Sequence, residues 1–211
     1  MKSYIIAFLL FLFQLTYAPT LPIEQNKRAY RDYIEMNNFI KYQTILEKHD
    51  KEDLNILKKF KMTNKFTKEE RIKVREVCEE VGIKSEWLYR VFRAECSGNP
   101  NAVNPISGAT GLIGFLPNTA NYLGTDTSEL KKMCILDQLD YVKKYLLIIG
   151  NGKKFKSSLD LYLAIFRPSA IGKPDNYIIG DKGSIIVKQN KSYVKDSIIT
   201  VKSIKSFIAL L

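Results

Sequence analysis

The chain has 211 residues, enough for one domain with a sizeable core and a smaller appendage. Hydrophobic residues make up 45% and charged residues 26%, which excludes a disordered, collagen-like or polytopic membrane chain. Its 33 Lys and Arg against 22 Asp and Glu give a net charge of +11, a balance that favours acidic partners such as nucleic acid, an anionic membrane or an anionic wall polymer. One His and three Cys leave no material for a zinc site of the usual spacing or for a dense disulfide framework, so no metal or cofactor is expected.

Lys2 precedes an apolar run from Tyr4 to Phe13 that continues, interrupted at Gln14 and Thr16, to Tyr17. The pattern predicts a secretory leader over residues 1–18, with Thr16 and Ala18 as the small-residue cleavage signal. Pro19 directly after that cut is a poor context, which leaves an uncleaved anchor through residues 4–21 as the alternative. Those 18 positions fall short of the ~20 that a spanning helix needs. Export places the chain in a periplasmic or extracellular setting, where one disulfide can form among Cys78, Cys96 and Cys134 and one thiol is left over. The sequence does not pair them.

Residues 19–62 form a charged N-terminal segment. From Glu24 to about Met62 charges of both signs mix with Ile34, Phe39, Ile45, Leu46, Leu54, Leu57 and Phe60, without Pro or Gly. This predicts a weakly amphipathic helix serving as a solvated stalk or packing arm, with His49 on its surface. The main domain is expected from residue 63 to 211. Thr67-Lys68-Glu69-Glu70 has the form of a capping box, and Val74, Val77, Cys78 and Val81 repeat at helical spacing before the stop at Gly82. Ser85 is the expected N-cap of the next helix, whose apolar stripe is Leu88, Val91 and Phe92. The residue that continues this stripe is Glu95. A carboxyl on an apolar face, just before the break at Ser97-Gly98-Asn99-Pro100, is desolvated, and desolvation raises its pKa towards that of a general acid. Periodicity alone equally allows Glu95 to pair with a Lys or Arg at the helix end.

Residues 97–114 are rich in Gly, Asn, Pro and Ala and predict irregular structure that lets backbone approach a ligand. Helices are expected over Asn118–Leu123, Ser128 to about Ile135 with Leu130, Met133 and Cys134 inward, Asp137–Ile149, and Leu159–Phe166. In the tail, Tyr177–Ile179, Ser184–Val187 and Ser197–Thr200 have strand propensity, and Gly180-Asp181-Lys182-Gly183 predicts a hairpin turn. Thr200 caps a last helix with Val201, Ile204, Ile208 and Leu211 on one face. There is no internal repeat and no glycine-rich phosphate loop of Walker or Rossmann spacing.

Glu95-Cys96, Asn99-Pro-Asn-Ala-Val103, Gly108-Ala-Thr-Gly-Leu-Ile-Gly-Phe-Leu-Pro-Asn-Thr-Ala120 and Leu123-Gly124 together resemble the lytic transglycosylase family of the lysozyme-like superfold. Asp137-Gln-Leu-Asp-Tyr-Val142 and Leu161-Tyr-Leu-Ala-Ile-Phe-Arg-Pro168 resemble the later helices of its phage-associated branch, so the likeness covers roughly residues 68–168. The resemblance implies a mainly α, lysozyme-like domain with little strand behind the helical N-terminal segment. It implies cleavage of the β-1,4 bond between N-acetylmuramic acid and N-acetylglucosamine in peptidoglycan, with a 1,6-anhydro product. Glu95 would be general acid and then base, and Cys96, Gly114, Phe115 and Tyr162 would line the sugar site.

Three departures qualify this: Cys96 stands where the family has Ser, Gly114 where it has Gln, and Ile113 where it has Met. Tyr162 stands either beside the acid or in the core. The Asp-rich calcium run of some phage relatives is replaced by Lys195-Asp-Ser-Ile198, so no calcium site is expected. The alternatives are a hydrolytic muramidase, with Asp126, Glu129 or Asp137 as second carboxylate, and a wall-binding or virion-structural protein of weakened turnover. Nucleic acid is not an expected partner, because the basic residues are dispersed and no binding motif accompanies them.

Overall fold

A computed structural model describes residues 23–152 and 154–211. The expected leader over residues 1–18 and the anchor stretch 4–21 lie outside the described residues. The described residues are mainly helical, with one two-stranded antiparallel sheet among them. Among the described residues no helix is long and apolar enough to cross a membrane. The chain divides into two units, Met1–His49 and Asp50–Leu211.

Helix α1 spans Ile23–Lys59. Up to residue 49 it is a mostly exposed arm in which Tyr30, Phe39 and Tyr42 face solvent and His49 is half-buried. Its last turns belong to the compact unit, which begins at Asp50 rather than at residue 63: Leu57, Phe60 and Met62 are core residues. Polar contacts fix these turns as firmly as apolar ones. Asp53, almost wholly buried, accepts from the Ser85 hydroxyl at 2.8 Å and pairs with Arg75 at 2.9 Å, while Arg71 meets Asp50 at 2.7 Å. Burial raises the Asp53 pKa, and Ser85 and Arg75 oppose that rise by favouring the ionised form.

Helix α2, Lys68–Val81, starts on the predicted capping box: Thr67 Oγ1 accepts from the Glu70 N–H and Glu70 Oε2 accepts from the Thr67 N–H at 2.7 Å. It buries Val74, Val77 and Cys78 and stops at Gly82. Helix α3, Ser85–Glu95, starts one residue earlier than expected. Ser85 is its first residue and not its N-cap, because the hydroxyl is committed to Asp53 and no side chain caps the helix. Leu88, Val91 and Phe92 are buried along it, with Phe66 stacked on Phe92 at 5.8 Å.

The short helices α4, Pro117–Tyr122, and α5, Thr127–Lys132, lead into α6, Ile135–Gly150. Helix α5 ends before Cys134, which is exposed at the α6 N-cap and donates to Asp137 instead of facing inward. Helix α7, Ser158–Phe166, is almost entirely apolar on its buried side; α2 packs along α6, and α3 along α7. Strand β1, Ile178–Gly180, pairs antiparallel with β2, Ile199–Thr200, not with residues 184–187. Ile185–Gln189 is a short helix, α8, with none of its residues buried. The expected hairpin is therefore replaced by a longer excursion. Helix α9, Val201–Leu210, is capped by Thr200 as predicted and buries Val201, Ile204 and Ile208. Cys78, Cys96 and Cys134 are all free thiols.

Candidate active site

Glu95 is the last residue of α3, and the chain leaves the helix immediately after it through Ser97 and Gly98, both at positive φ. Its carboxyl is enclosed by protein, although the residue keeps some accessible surface. Burial pushes the carboxyl from an ordinary value of 4.5 up to about 7, and a hydrogen bond with Tyr162 opposes that rise. Among the described residues no ionised group contributes to the shift. Near neutral pH such a group is present in both forms, and so is able to give a proton and to take one back.

The irregular segment after Glu95 folds over the carboxyl. Thr110 bridges Val103 on one side and Phe115 on the other, the Thr110–Phe115 bridge closing with N–H to O distances of 3.0 and 2.8 Å. Between them lies the tight turn Gly111–Gly114. Gln138 and Cys96 hold this turn through a single residue, Leu112. The Leu112 N–H donates to Gln138 Oε1 at 2.9 Å, and the Leu112 carbonyl accepts from the Cys96 thiol at 3.4 Å. Gln138 is fully buried, and its Nε2 also donates to the carbonyls of Pro100 at 2.7 Å and Leu130 at 2.8 Å. A Cβ at Gly111, at φ +88°, would lie 2.6 Å from Gln138 Oε1, so only glycine lets the turn close on this amide.

At the other end of the turn Gly114 has φ +63°, and a Cβ there would lie 3.2 Å from Glu95 Oε2. The turn thus lays bare backbone against the carboxylate.

Tyr162, on α7, closes the opposite side. It is buried, and its hydroxyl meets the hydroxyl of Tyr193 at 2.5 Å. Tyr193 is held in turn by Phe166 at 5.2 Å and Phe207 at 4.7 Å, both edge-to-face. The two positions left open for Tyr162 are therefore both occupied: it is a core ring whose hydroxyl reaches the acid. Its bond favours the charged carboxylate. Tyr162→Phe is accordingly expected to raise the Glu95 pKa further, read as an upward move of the Glu95 carboxyl titration by NMR.

The remaining candidates take other places. Cys96 turns its thiol to the carbonyls of Phe92 and Leu112, and burial pushes the thiol up to about 11, so it is a neutral donor that binds the turn to α3 and not a group directed at a sugar. Phe115 is buried edge-to-face against Tyr145 at 6.3 Å, and contributes to the wall of an adjacent cavity. Asp126 caps α5, Glu129 pairs with Lys132 at 2.8 Å, and Asp137 accepts from the Cys134 thiol; each is engaged locally. Among the described residues no group of three or more His, Cys, Asp or Glu is placed to hold a metal ion.

A comparison with protein-family models, with curated proteins and with solved structures finds no match.

Sequence reasoning missed Gln138 and Tyr193. For Gln138 a signal existed, because it shares the α6 stripe of Ile135, Leu139, Val142 and Leu146, as Glu95 shares the stripe of α3. A polar residue on an apolar helical face needs a buried partner or a function. Tyr193 follows a weak local pattern in a non-repetitive segment and carries no such signal.

Proposed function

We propose that this protein is a peptidoglycan lytic transglycosylase with a lysozyme-like domain, cleaving the N-acetylmuramic acid to N-acetylglucosamine β-1,4 bond to give a 1,6-anhydro end. One observation carries the reading: a carboxyl raised to about 7 by burial, at the end of a helix, with a tyrosine hydroxyl on it and glycine backbone across from it. The sequence resemblance to this family across residues 68–168 supports it independently. Glu95 in its neutral form protonates the glycosidic oxygen as the C1–O4 bond breaks, and the substrate's own acetamido group stabilises the developing cation. The Glu95 carboxylate then accepts the proton of the muramic C6 hydroxyl while O6 bonds to C1. No water enters, and the acid returns to its starting form. Ordinary glycosidases divide this work between two carboxylates. Here Asp126, Glu129 and Asp137 are occupied as caps and pair partners, which favours the one-carboxylate route over hydrolysis. The net charge of +11 suits an anionic wall.

Mass analysis of the muropeptides released from purified peptidoglycan tests this. Products one water lighter, with anhydro ends, are expected. Reducing ends would make the protein a hydrolase, and no products from folded, wall-bound protein would make it a binding protein.

The backbone at Gly114 makes a further expectation specific. The family's Gln at this position would require a side chain at φ +63°, a conformation costing about 1–2 kcal/mol outside glycine. It would also press on Glu95 Oε2. Gly114→Gln is therefore expected to lower the Tm by about 5 °C and to leave muropeptide release no higher than in the natural chain. A gain in release would show that the glycine is a loss and not an adaptation of the turn.

A further inference from the structure

Beside Gly114 lies a cavity of about 310 Å³, the size of a small binding pocket. Its walls are Ile113, Gly114 and Leu116 on one side and Tyr145 and Phe166 on another, with Arg167 beside them. Gly114 connects this space to the carboxyl, since the position of its absent Cβ is 3.2 Å from Glu95 Oε2. Helix α7 connects it a second time, because it carries Tyr162 to the acid and ends at Phe166, immediately before Arg167. Gly114 is thus common to the cavity wall and to the surroundings of the acid.

Arg167 is the charged group of this cavity. The other arginines of the Asp50–Leu211 unit are committed: Arg71 to Asp50, Arg75 to Asp53, Arg90 to Glu86 and the Ile208 carbonyl, and Arg93 to the Ser97 hydroxyl. Arg167 is exposed and has no acidic partner among the described residues. Most of the other lining side chains are apolar, Thr119 also lies among them, and the exposed wall is about equally polar and apolar. An uncommitted guanidinium in the same wall as Tyr145 and Phe166 offers a two-pronged contact to a planar anion while an aromatic side chain takes the sugar face.

We infer that Arg167 is a specificity residue that binds a carboxylate carried by the aminosugar seated beside Glu95. The inference rests on the glycan-cleaving reading above and deepens it, by making the preferred substrate an acidic and not a neutral aminosugar strand. Two sources supply that carboxylate: the free lactyl group of muramic acid on strands without peptide, and the carboxylates of an attached stem peptide.

Calorimetric titration of the Glu95→Gln protein, in which turnover is stopped, decides the matter with three tetrasaccharides. These are neutral chitotetraose, the alternating glucosamine–muramic acid strand without peptide, and the same strand with stem peptides. At least one acidic ligand is expected to bind about tenfold more tightly than chitotetraose, in keeping with a charge-assisted contact. Which of the two binds more tightly identifies the source of the carboxylate. Adding Arg167→Gln is expected to bring the acidic ligands down to the affinity of chitotetraose, with Arg167→Lys keeping part of the preference. The exposed position of Arg167 allows both changes without disturbing the core. Equal affinity for all three ligands, a preference that survives Arg167→Gln, or no binding of any of them overturns the inference. Muropeptide release by the natural chain, measured alongside, separates the two failures: release without charge preference overturns only the role of Arg167, and no release overturns the glycan reading beneath it.

Discussion

Glu95→Gln is expected to lower cleavage of purified peptidoglycan by about 10³-fold or more, since the one residue serves as acid in the first half of the reaction and base in the second. The same change has a stability signature of opposite sign, which separates loss of chemistry from loss of fold. In the folded protein burial holds the Glu95 carboxyl at about 7 against an ordinary 4.5. The folded state therefore keeps its proton where the unfolded state has lost it. Stability associated with this group is fully present below pH 4.5 and declines as pH rises through about 7. Above that pH the buried charge destabilises the fold by about 3 kcal/mol, a burden the neutral amide does not carry. Urea denaturation should thus find the variant more stable than the natural chain at pH 8 and nearly equal to it at pH 4. An inactive variant with the natural pH dependence of stability would mean that Glu95 is not the buried titrating group.

The second large effect is expected at Gln138. One amide satisfies the Leu112 N–H and the carbonyls of Pro100 and Leu130, and it lies wholly out of solvent. Gln138→Leu preserves much of the volume but strands three backbone groups, at a cost of about 3–5 kcal/mol. The damage should be directional. Leu112 belongs to the turn that sets Gly114 against the acid, so its amide proton should lose most of its exchange protection while α3 retains its own. Cleavage should fall with it, although Gln138 touches no reacting atom. Retention of both Leu112 protection and activity would show that the Cys96 thiol and the backbone bonds of Thr110, Gly111 and Phe115 hold the turn without the amide.

Much of this molecule is legible from its residues, and what is not has a physical reason. The α2 start at Thr67, the stop at Gly82 and the Thr200 cap are local hydrogen-bonding patterns, complete within a few positions, and all three form as written. Glu95 stood out because it broke an apolar stripe. Ser184–Val187 misled because β-branched residues favour a strand only when a partner edge is present; that edge is taken by Ile199–Thr200, and Ile185–Gln189 coils into α8. Ser85 and Cys96 have the polarity expected of a cap and a sugar contact, but Asp53 and Leu112, each far away in the chain, claim them instead. Tyr193 could not be foreseen for the same reason: its role exists only once Tyr162 is beside it.

The three cysteines make the chain its own reporter of motion. Cys134 is open to reagents, Cys96 is half-covered and held neutral under the Gly111–Gly114 turn, and Cys78 is sealed in the core. A thiol reacts only when its environment lets the thiolate form, so alkylation dates two separate events against one internal reference. Modification of Cys134 needs no opening, modification of Cys96 times the lifting of the turn from α3, and modification of Cys78 times the parting of the core. Timed mass spectra of one unmodified protein would therefore place the breathing of the site and the melting of the domain on a single clock.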